Sequence, residues 1–287
     1  RRPRRSTLFP YTTLFRSRNL ANDFFFKWQL EHTVIDTSEM AQVKSALRTN
    51  TQLVWLETPS NPLLKITDIA AVSALAHEAH ARVVVDSTFA TPVLQRPIDL
   101  GADIVLHSTT KYFGGHSDVQ GGALIFAKKD EHTEQVETNR RILGAAASPF
   151  NSWLILRGIR TLPCRMRMHS SNAAAVAKAM HQHPAIEAVH YPGVDTQPGH
   201  EIAKKQMKDF GGMLSIRVKG GRERAIQVAS KMKLFTNATS LGGVESLIEH
   251  RASSEGPGSK TPEDLLRLSI GLEHPDDLIK DLLQALA

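Results

Sequence analysis

Three polar segments of this chain hold side chains that can do chemistry, and each directly follows a short apolar run. The segments are residues 57–62, 86–89 and 107–117, and the runs before them are 53–56, 83–85 and 104–106. Runs of this length and composition predict buried strands. Because open α/β sheets place ligand sites at the carboxyl ends of their strands, we expect a lysine, an amide, a carboxylate and several hydroxyls to meet at one edge.

That set of groups suits pyridoxal 5′-phosphate (PLP). This cofactor needs an amine for a Schiff base and a carboxylate that keeps its pyridine nitrogen protonated. Lys111 is the candidate amine and Asp86 the candidate carboxylate, while Ser108 and Thr110 are candidate phosphate donors. A partly desolvated lysine beside a cationic ring can act as a nucleophile and a proton carrier.

The run at 103–117 reads Asp-Ile-Val-Leu-His-Ser-Thr-Thr-Lys-Tyr-Phe-Gly-Gly-His-Ser. It resembles the Schiff-base signature of the PLP enzymes of cysteine and methionine metabolism. That family includes cystathionine γ-synthase, cystathionine γ- and β-lyases, methionine γ-lyase and homoserine sulfhydrylases. Further segments that resemble the family lie at 57–62, 85–90, 211–215, 240–247 and 266–273, so the resemblance spans about residues 20–287.

The resemblance implies the fold of aspartate aminotransferase. This fold is α/β, with a large PLP domain around a mostly parallel sheet and a smaller C-terminal α+β domain. It also implies that Asn61 contacts the cofactor ring oxygen, that Thr88 lies near the ring, and that Arg267 holds the substrate α-carboxylate with help from Ser240. The planar fork of an arginine can bind a carboxylate bidentately. A structural pairing of Arg267 with Glu273 or Asp264 is the alternative.

The implied activity is that of a PLP-dependent trans-sulfuration enzyme acting on small amino acids. A cystathionine γ-synthase-like reaction on O-acylhomoserine or cystathionine is the first hypothesis. Thr239 and residues 249–253 depart from common family patterns, and the lyases and sulfhydrylases remain alternatives. Family members extend further at the N-terminus, with a dimer arm and a Tyr that stacks on the cofactor. We therefore expect a truncated chain, and an inactive cofactor-binding fragment is the alternative of another class.

We expect a homodimer or homotetramer in the full-length parent, a cytoplasmic location and no nucleic-acid partner. The first 18 residues hold six of the 35 basic residues and no acidic one, so the other 29 balance the 29 acidic residues. A basic groove within the domain is thus not indicated. No apolar run approaches the ~18 residues of a membrane span. The lone Cys164 excludes Cys-based clusters and is expected to be buried, and the histidines predict no metal site.

The chain divides by pattern into residues 1–18, 19–158 and 159–287. The first segment resembles a non-native leader, the second is the PLP-binding domain, incomplete at its N-terminus, and the third is the C-terminal domain. Thr67 is placed as the N-cap of a helix that starts near Ile69. Residues 251–262, rich in Ser, Gly and Pro, are expected to form a loop. Further strands are expected at 33–35, 123–126, 186–191, 213–218 and 266–270, and helices at 171–181, 222–231 and 276–286.

Overall fold

Six strands from the first half of the chain form one sheet. The computed structural model describes residues 6–10, 30–256 and 259–287. The sheet order is β2-β1-β3-β4-β5-β6. Strands β1–β5 run parallel to one another and β6 is antiparallel to β5, so the predicted mostly parallel sheet is confirmed. The strands are β1 (Ser6–Pro10), β2 (Glu31–Ile35), β3 (Thr51–Glu57), β4 (Arg82–Asp86), β5 (Ile104–Ser108) and β6 (Gly122–Phe126).

Part of the segment set apart as a leader lies inside this sheet. β1 runs between β2 and β3, and its Leu8 is fully buried. Residues 1–5 and 11–18 of the same segment lie outside the described residues. The described part of the leader therefore packs with the domain, whereas its foreign origin stays a prediction.

In the part of the chain that the structure describes, four α-helices accompany the first sheet. They are α1 (Met40–Ala46), α2 (Ile69–Glu78), α3 (Thr91–Leu94) and α4 (Glu131–Ile142). The predicted N-cap of α2 is wrong by one residue, because the side chain of Asp68, not Thr67, accepts the bond from the Ala71 N–H at 2.9 Å. The Thr67 hydroxyl instead bonds that of Thr37.

One long helix, α5 (Pro149–His181), leads from the first sheet to the second. The boundary expected after residue 158 falls inside this helix. Its buried side packs against both halves of the molecule, with Leu162 and Met166 toward the first and Val176 and Met180 toward the second. Cys164 lies on its exposed side, so the prediction that this thiol is buried is wrong.

The second sheet has the order β7-β8-β11-β10-β9. Its strands are β7 (Ile186–His190), β8 (Met213–Val218), β9 (Thr236–Asn237), β10 (Leu247–His250) and β11 (Leu265–Ser269). The later helices are α6 (His200–Gln206), α7 (Gly221–Ser230), α8 (Arg251–Glu255) and α9 (Pro275–Leu286). α8 occupies the start of the predicted loop at 251–262, and β9 and β10 were not predicted. Among the described residues, no helix is both long and apolar enough to cross a bilayer.

Asp281 on α9 forms hydrogen bonds with the backbone of residues 233–235, directly before β9. Its carboxylate accepts the backbone N–H groups of Lys233, Leu234 and Phe235 at 2.8–3.2 Å. Burial acts to raise the pKa of this carboxyl, but the backbone donors outweigh it and hold the pKa below its usual value of 3.8. The ionised form of Asp281 therefore stabilises the fold.

Replacing Asp281 with Ala should lower the free energy of unfolding by about 2–4 kcal/mol, because three backbone donors lose a charged acceptor. Since the folded pKa is depressed, this contribution is present above pH 3.8 and is lost as the pH falls through the folded pKa. Urea unfolding at neutral and acidic pH measures it. Asp277→Ala, at an exposed position of the same helix, is the control and should change stability little. Equal losses in the two variants would contradict the assignment.

Candidate active site

Lys111 lies in a tight turn that follows β5. Residues Thr109–Phe113 form one wide helical turn, and Lys111 itself has φ −93° and ψ −128°, outside the helical range. A Cβ at Gly158 of α5 would lie 2.2 Å from the Phe113 carbonyl oxygen, and one at Gly242 would lie 2.8 Å from the Tyr112 nitrogen. Only glycine fits at either position, and the backbone thus clamps the lysine turn from two sides.

The lysine side chain enters a cleft built from both halves of the molecule. Its Nζ lies 3.2 Å from Ser240 Oγ, which belongs to the loop between β9 and β10. Two predicted site residues, Lys111 and Ser240, which are 129 residues apart in the chain, are therefore brought together. The cleft is lined by Glu57, Pro59, Asp86, Thr88, Phe89, Ser108, Lys111, Thr239, Leu241, Arg251 and Arg267.

Asp86 ends β4 as a buried carboxylate. It accepts bonds from the Thr88 backbone N–H at 3.0 Å and from the Thr88 hydroxyl at 2.6 Å. Burial raises the pKa of Asp86, although the two bonds from Thr88 act in the opposite direction. The Thr88 hydroxyl also accepts the Ser108 N–H at 2.9 Å. Thr88 therefore ties the end of β4 to the end of β5.

Arg267 lies on β11 and is 2% exposed. Its guanidinium pairs with the carboxylate of Glu249, the residue directly opposite on β10. It also donates to Asn61 Oδ1 at 3.2 Å and to the backbone oxygens of Thr239 and Ser240 at 2.7 and 3.1 Å. Burial lowers the pKa of Arg267 to about 10, with Glu249 acting against the shift, so the group is charged at neutral pH.

Neither predicted structural partner of Arg267 pairs with it. Asp264 instead binds Arg217 at 2.9 Å, and Glu273 accepts the backbone N–H and hydroxyl of Ser246. Glu249 is the partner that the sequence analysis missed. Pairing residues 247–250 as an antiparallel strand with residues 266–269 would have placed Glu249 opposite Arg267, because cross-strand neighbours lie on one face of a sheet.

The two predicted phosphate donors lie in different surroundings. Ser108 lines the cleft. The Thr110 hydroxyl is engaged outside the cleft, since it accepts the Gly121 N–H at 3.0 Å. The phosphate role of Thr110 stays a prediction, and it requires that bond to be shared or exchanged.

Buried rings pack behind the lysine turn. His107 stacks on Phe113 with ring centres 4.7 Å apart, and Tyr112 meets the edge of His169 at 5.1 Å. Burial lowers the pKa of both histidines to about 4. They are neutral packing groups at physiological pH and do not compete with Lys111 for protons there.

The donor set fits PLP. Asp86 has its hydrogen bonds from Thr88 and no ion pair within the described chain, so a cationic ring nitrogen would supply the missing counter-charge. Asn61 Nδ2 is buried without an acceptor among the described residues and can donate to a ring oxygen. No group of three or more metal-binding side chains occurs in the residues described.

Comparison with known proteins gives consistent matches. The Cys/Met metabolism PLP-dependent enzyme family matches residues 11–287. The cystathionine gamma-synthase of Mycobacterium tuberculosis (strain ATCC 25618 / H37Rv) is 47% identical over 272 residues, which are 93% of this chain and 70% of that protein. The L-methionine gamma-lyase of Fusobacterium nucleatum subsp. polymorphum is 46% identical over 269 residues, covering 91% and 68%.

Comparison with solved structures points to the same group of proteins. Cystathionine gamma synthase from Xanthomonas oryzae pv. oryzae, in complex with cystathionine, matches with a TM-score of 0.95 at 41% identity, covering 99% of this chain and 75% of that one. The fold and the lysine cleft together define a PLP-dependent enzyme. The chain belongs to the Cys/Met metabolism PLP-dependent enzyme family. The predicted family, fold class and cofactor are thereby confirmed.

The Thr88 hydroxyl should be essential to the geometry of the cleft. In Thr88→Val, the buried Asp86 carboxylate loses a donor and the N–H of the half-buried Ser108 loses its acceptor. We expect the free energy of unfolding to fall by about 1–3 kcal/mol. Thr88→Ser keeps the hydroxyl and should retain most of the stability in urea unfolding. A Val variant as stable as the Ser variant would refute this role.

Proposed function

We propose that this chain catalyses γ-replacement or γ-elimination on an O-acylhomoserine or on cystathionine. The observation that carries the proposal is a single cleft lined by the Lys111 amine, the buried Asp86 carboxylate and the Arg267 guanidinium. These are the groups needed to hold PLP and the α-carboxylate of an amino acid. The similarity to proteins named cystathionine gamma-synthase supports this choice of reaction.

Each residue of the cleft has a distinct task in this proposal. When bound, PLP supplies a carbonyl that condenses with amines and a protonated ring that draws electrons from the substrate Cα. Asp86 would hold the ring nitrogen through its buried carboxylate. Lys111 Nζ would bind the cofactor and would move protons between carbon atoms of the substrate. The Ser240 hydroxyl, 3.2 Å from that nitrogen, holds the amine in place between transfers.

In this proposal Arg267 anchors the α-carboxylate of the substrate, with help from Ser240. The hydrogen bonds of Arg267 to Asn61, Thr239 and Ser240 fix the guanidinium plane. A fixed planar fork loses little rotamer freedom when a carboxylate binds, so affinity and orientation come together. The Asn61 amide nitrogen and the Ser108 hydroxyl serve the cofactor ring oxygen and phosphate, with Thr110 as a further candidate for the phosphate.

The lyase reactions remain the second candidate. A protein named L-methionine gamma-lyase is 46% identical to this chain, nearly as similar as the synthases. The inactive cofactor-binding fragment is the candidate of another class. The cytoplasmic location stays a prediction. Self-association, as a homodimer or homotetramer, is supported by five large apolar side chains that are more than half exposed, namely Ile142, Leu143, Phe150, Trp153 and Leu156.

A substrate panel tests the reaction itself. Purified protein with added PLP is assayed on O-acylhomoserines with and without cysteine, and on cystathionine and methionine. Cystathionine formed from an O-acylhomoserine and cysteine supports the first candidate. Release of a 2-oxo acid from methionine, without formation of cystathionine from an O-acylhomoserine and cysteine, favours the lyases. A visible PLP spectrum without turnover of any substrate identifies the inactive fragment.

Lys111→Ala should abolish the visible absorption band of enzyme-bound PLP, because the cofactor loses the amine to which it is attached. The matched control is Lys129→Ala, at an exposed lysine, which should keep the wild-type spectrum. Absorption spectra of both variants with excess PLP, recorded after desalting, decide the matter. A visible band that persists without Lys111 would exclude this residue as the attachment point.

Arg267→Ala should weaken amino-acid binding by more than tenfold while PLP stays bound. Losing one partner of such a buried charged contact costs about 2–5 kcal/mol. Arg267→Lys keeps a positive charge beside Glu249 but not the planar fork, so it should recover only part of the affinity. The measurement is KM for the amino acid beside the visible spectrum. An unchanged KM in both variants would contradict the anchoring role.

A further inference from the structure

A second arginine lines the same cleft and has no task in the reaction described above. Arg251 is the first residue of α8 and directly follows β10. Its side chain lines the cleft together with Lys111 and Arg267. Arginine is rarely placed in such a buried position unless it is paired or used.

Two carboxylates hold the Arg251 guanidinium in a fixed orientation. Nη1 donates to Glu249 Oε1 at 3.3 Å, and Nε donates to Glu255 Oε1 at 3.0 Å. No hydrogen bond of Nη2 to another described residue is found, which leaves this nitrogen as a donor for a ligand. The side chain is about 10% exposed, and this small exposed part borders the cleft.

Glu249 links Arg251 to the residue that anchors the substrate. One carboxylate oxygen faces Arg251 and the other faces Arg267. The two guanidiniums therefore lie on either side of a single carboxylate. Among these residues the charges of Arg251, Arg267, Glu249 and Glu255 cancel, so one substrate carboxylate on Arg267 already makes the cluster net negative. A second anionic group can be accommodated only through a specific contact with a donor such as Nη2.

We propose that Arg251 is a specificity-determining residue that binds a second anionic group at the far end of the substrate side chain. The proposal rests on the proposed function, because it takes the α-carboxylate to be held by Arg267. Substrates whose leaving group ends in a carboxylate or a phosphate are favoured over those whose leaving group ends in a methyl group. Arg251 acts on binding and not on proton transfer.

Matched substrates test this selection. With wild-type enzyme and PLP, kcat/KM is measured for O-succinyl-, O-phospho- and O-acetyl-homoserine with cysteine. In Arg251→Met, kcat/KM for the succinyl or the phospho ester, relative to the acetyl ester, should fall about tenfold or more. Arg251→Lys should retain part of that ratio. Arg222→Met removes a half-exposed arginine that bonds Ser253 outside this cleft and should leave the ratio unchanged.

Binding measurements make the test independent of turnover. Calorimetry with the PLP-loaded chain compares 2-aminoadipate, whose side chain ends in a carboxylate, with norleucine, whose side chain ends in a methyl group. Arg251→Met should reduce the preference for the carboxylate by about tenfold, even if no homoserine ester is turned over. If the preference falls in this way but no homoserine ester is turned over, the proposed reaction is overturned and the role of Arg251 is supported. An equal loss for both ligands, or an unchanged preference, would overturn the role of Arg251.

Discussion

The close backbone contact around the lysine turn is the constraint on which the site depends. Gly158 of the long helix and Gly242 of the second-sheet loop both touch the turn at distances that leave no room for a side chain. Any larger residue at either position must push the turn, the helix or the loop away. Lys111 is therefore placed by two distant parts of the chain as well as by its own turn. Its position does not depend on its own rotamer alone.

The polar contacts of Lys111 and Arg267 in the cleft depend on this close packing of the backbone. Because the loop near Gly242 is held against the lysine turn, Ser240 and the backbone oxygens beside it come within reach of both Lys111 and Arg267. Asn61 belongs to the first half of the chain, 206 residues from Arg267, and its Oδ1 accepts a further hydrogen bond from the Arg267 guanidinium. The cleft is thus a joint between the two sheets, and formation of the site requires that both halves are folded.

The sequence predicted five of the six strands of the first sheet, all but β1, and the residues at their ends because those signals are local. Val83–Val85 followed by Asp86, and Ile104–Leu106 followed by the lysine segment, needed no knowledge of distant partners. The missed features depend on tertiary contacts. Asp68 caps α2, whereas the Thr67 hydroxyl bonds that of Thr37, which lies 30 residues earlier in the chain. The Glu249–Arg267 pair depends on strand register, and the Thr110–Gly121 bond depends on how the chain returns to β6.

The exposed thiol of Cys164 on the long helix is a natural site for specific labelling. Cys164 is the sole cysteine of the 287-residue chain, and it lies on the solvent side of the element that joins the two sheets. Thiol-reactive chemistry therefore addresses one defined point without prior mutagenesis. A single fluorophore attached there sits six residues beyond Gly158, close to the contact that clamps the lysine turn, where its emission can report rearrangement between the two halves of the molecule.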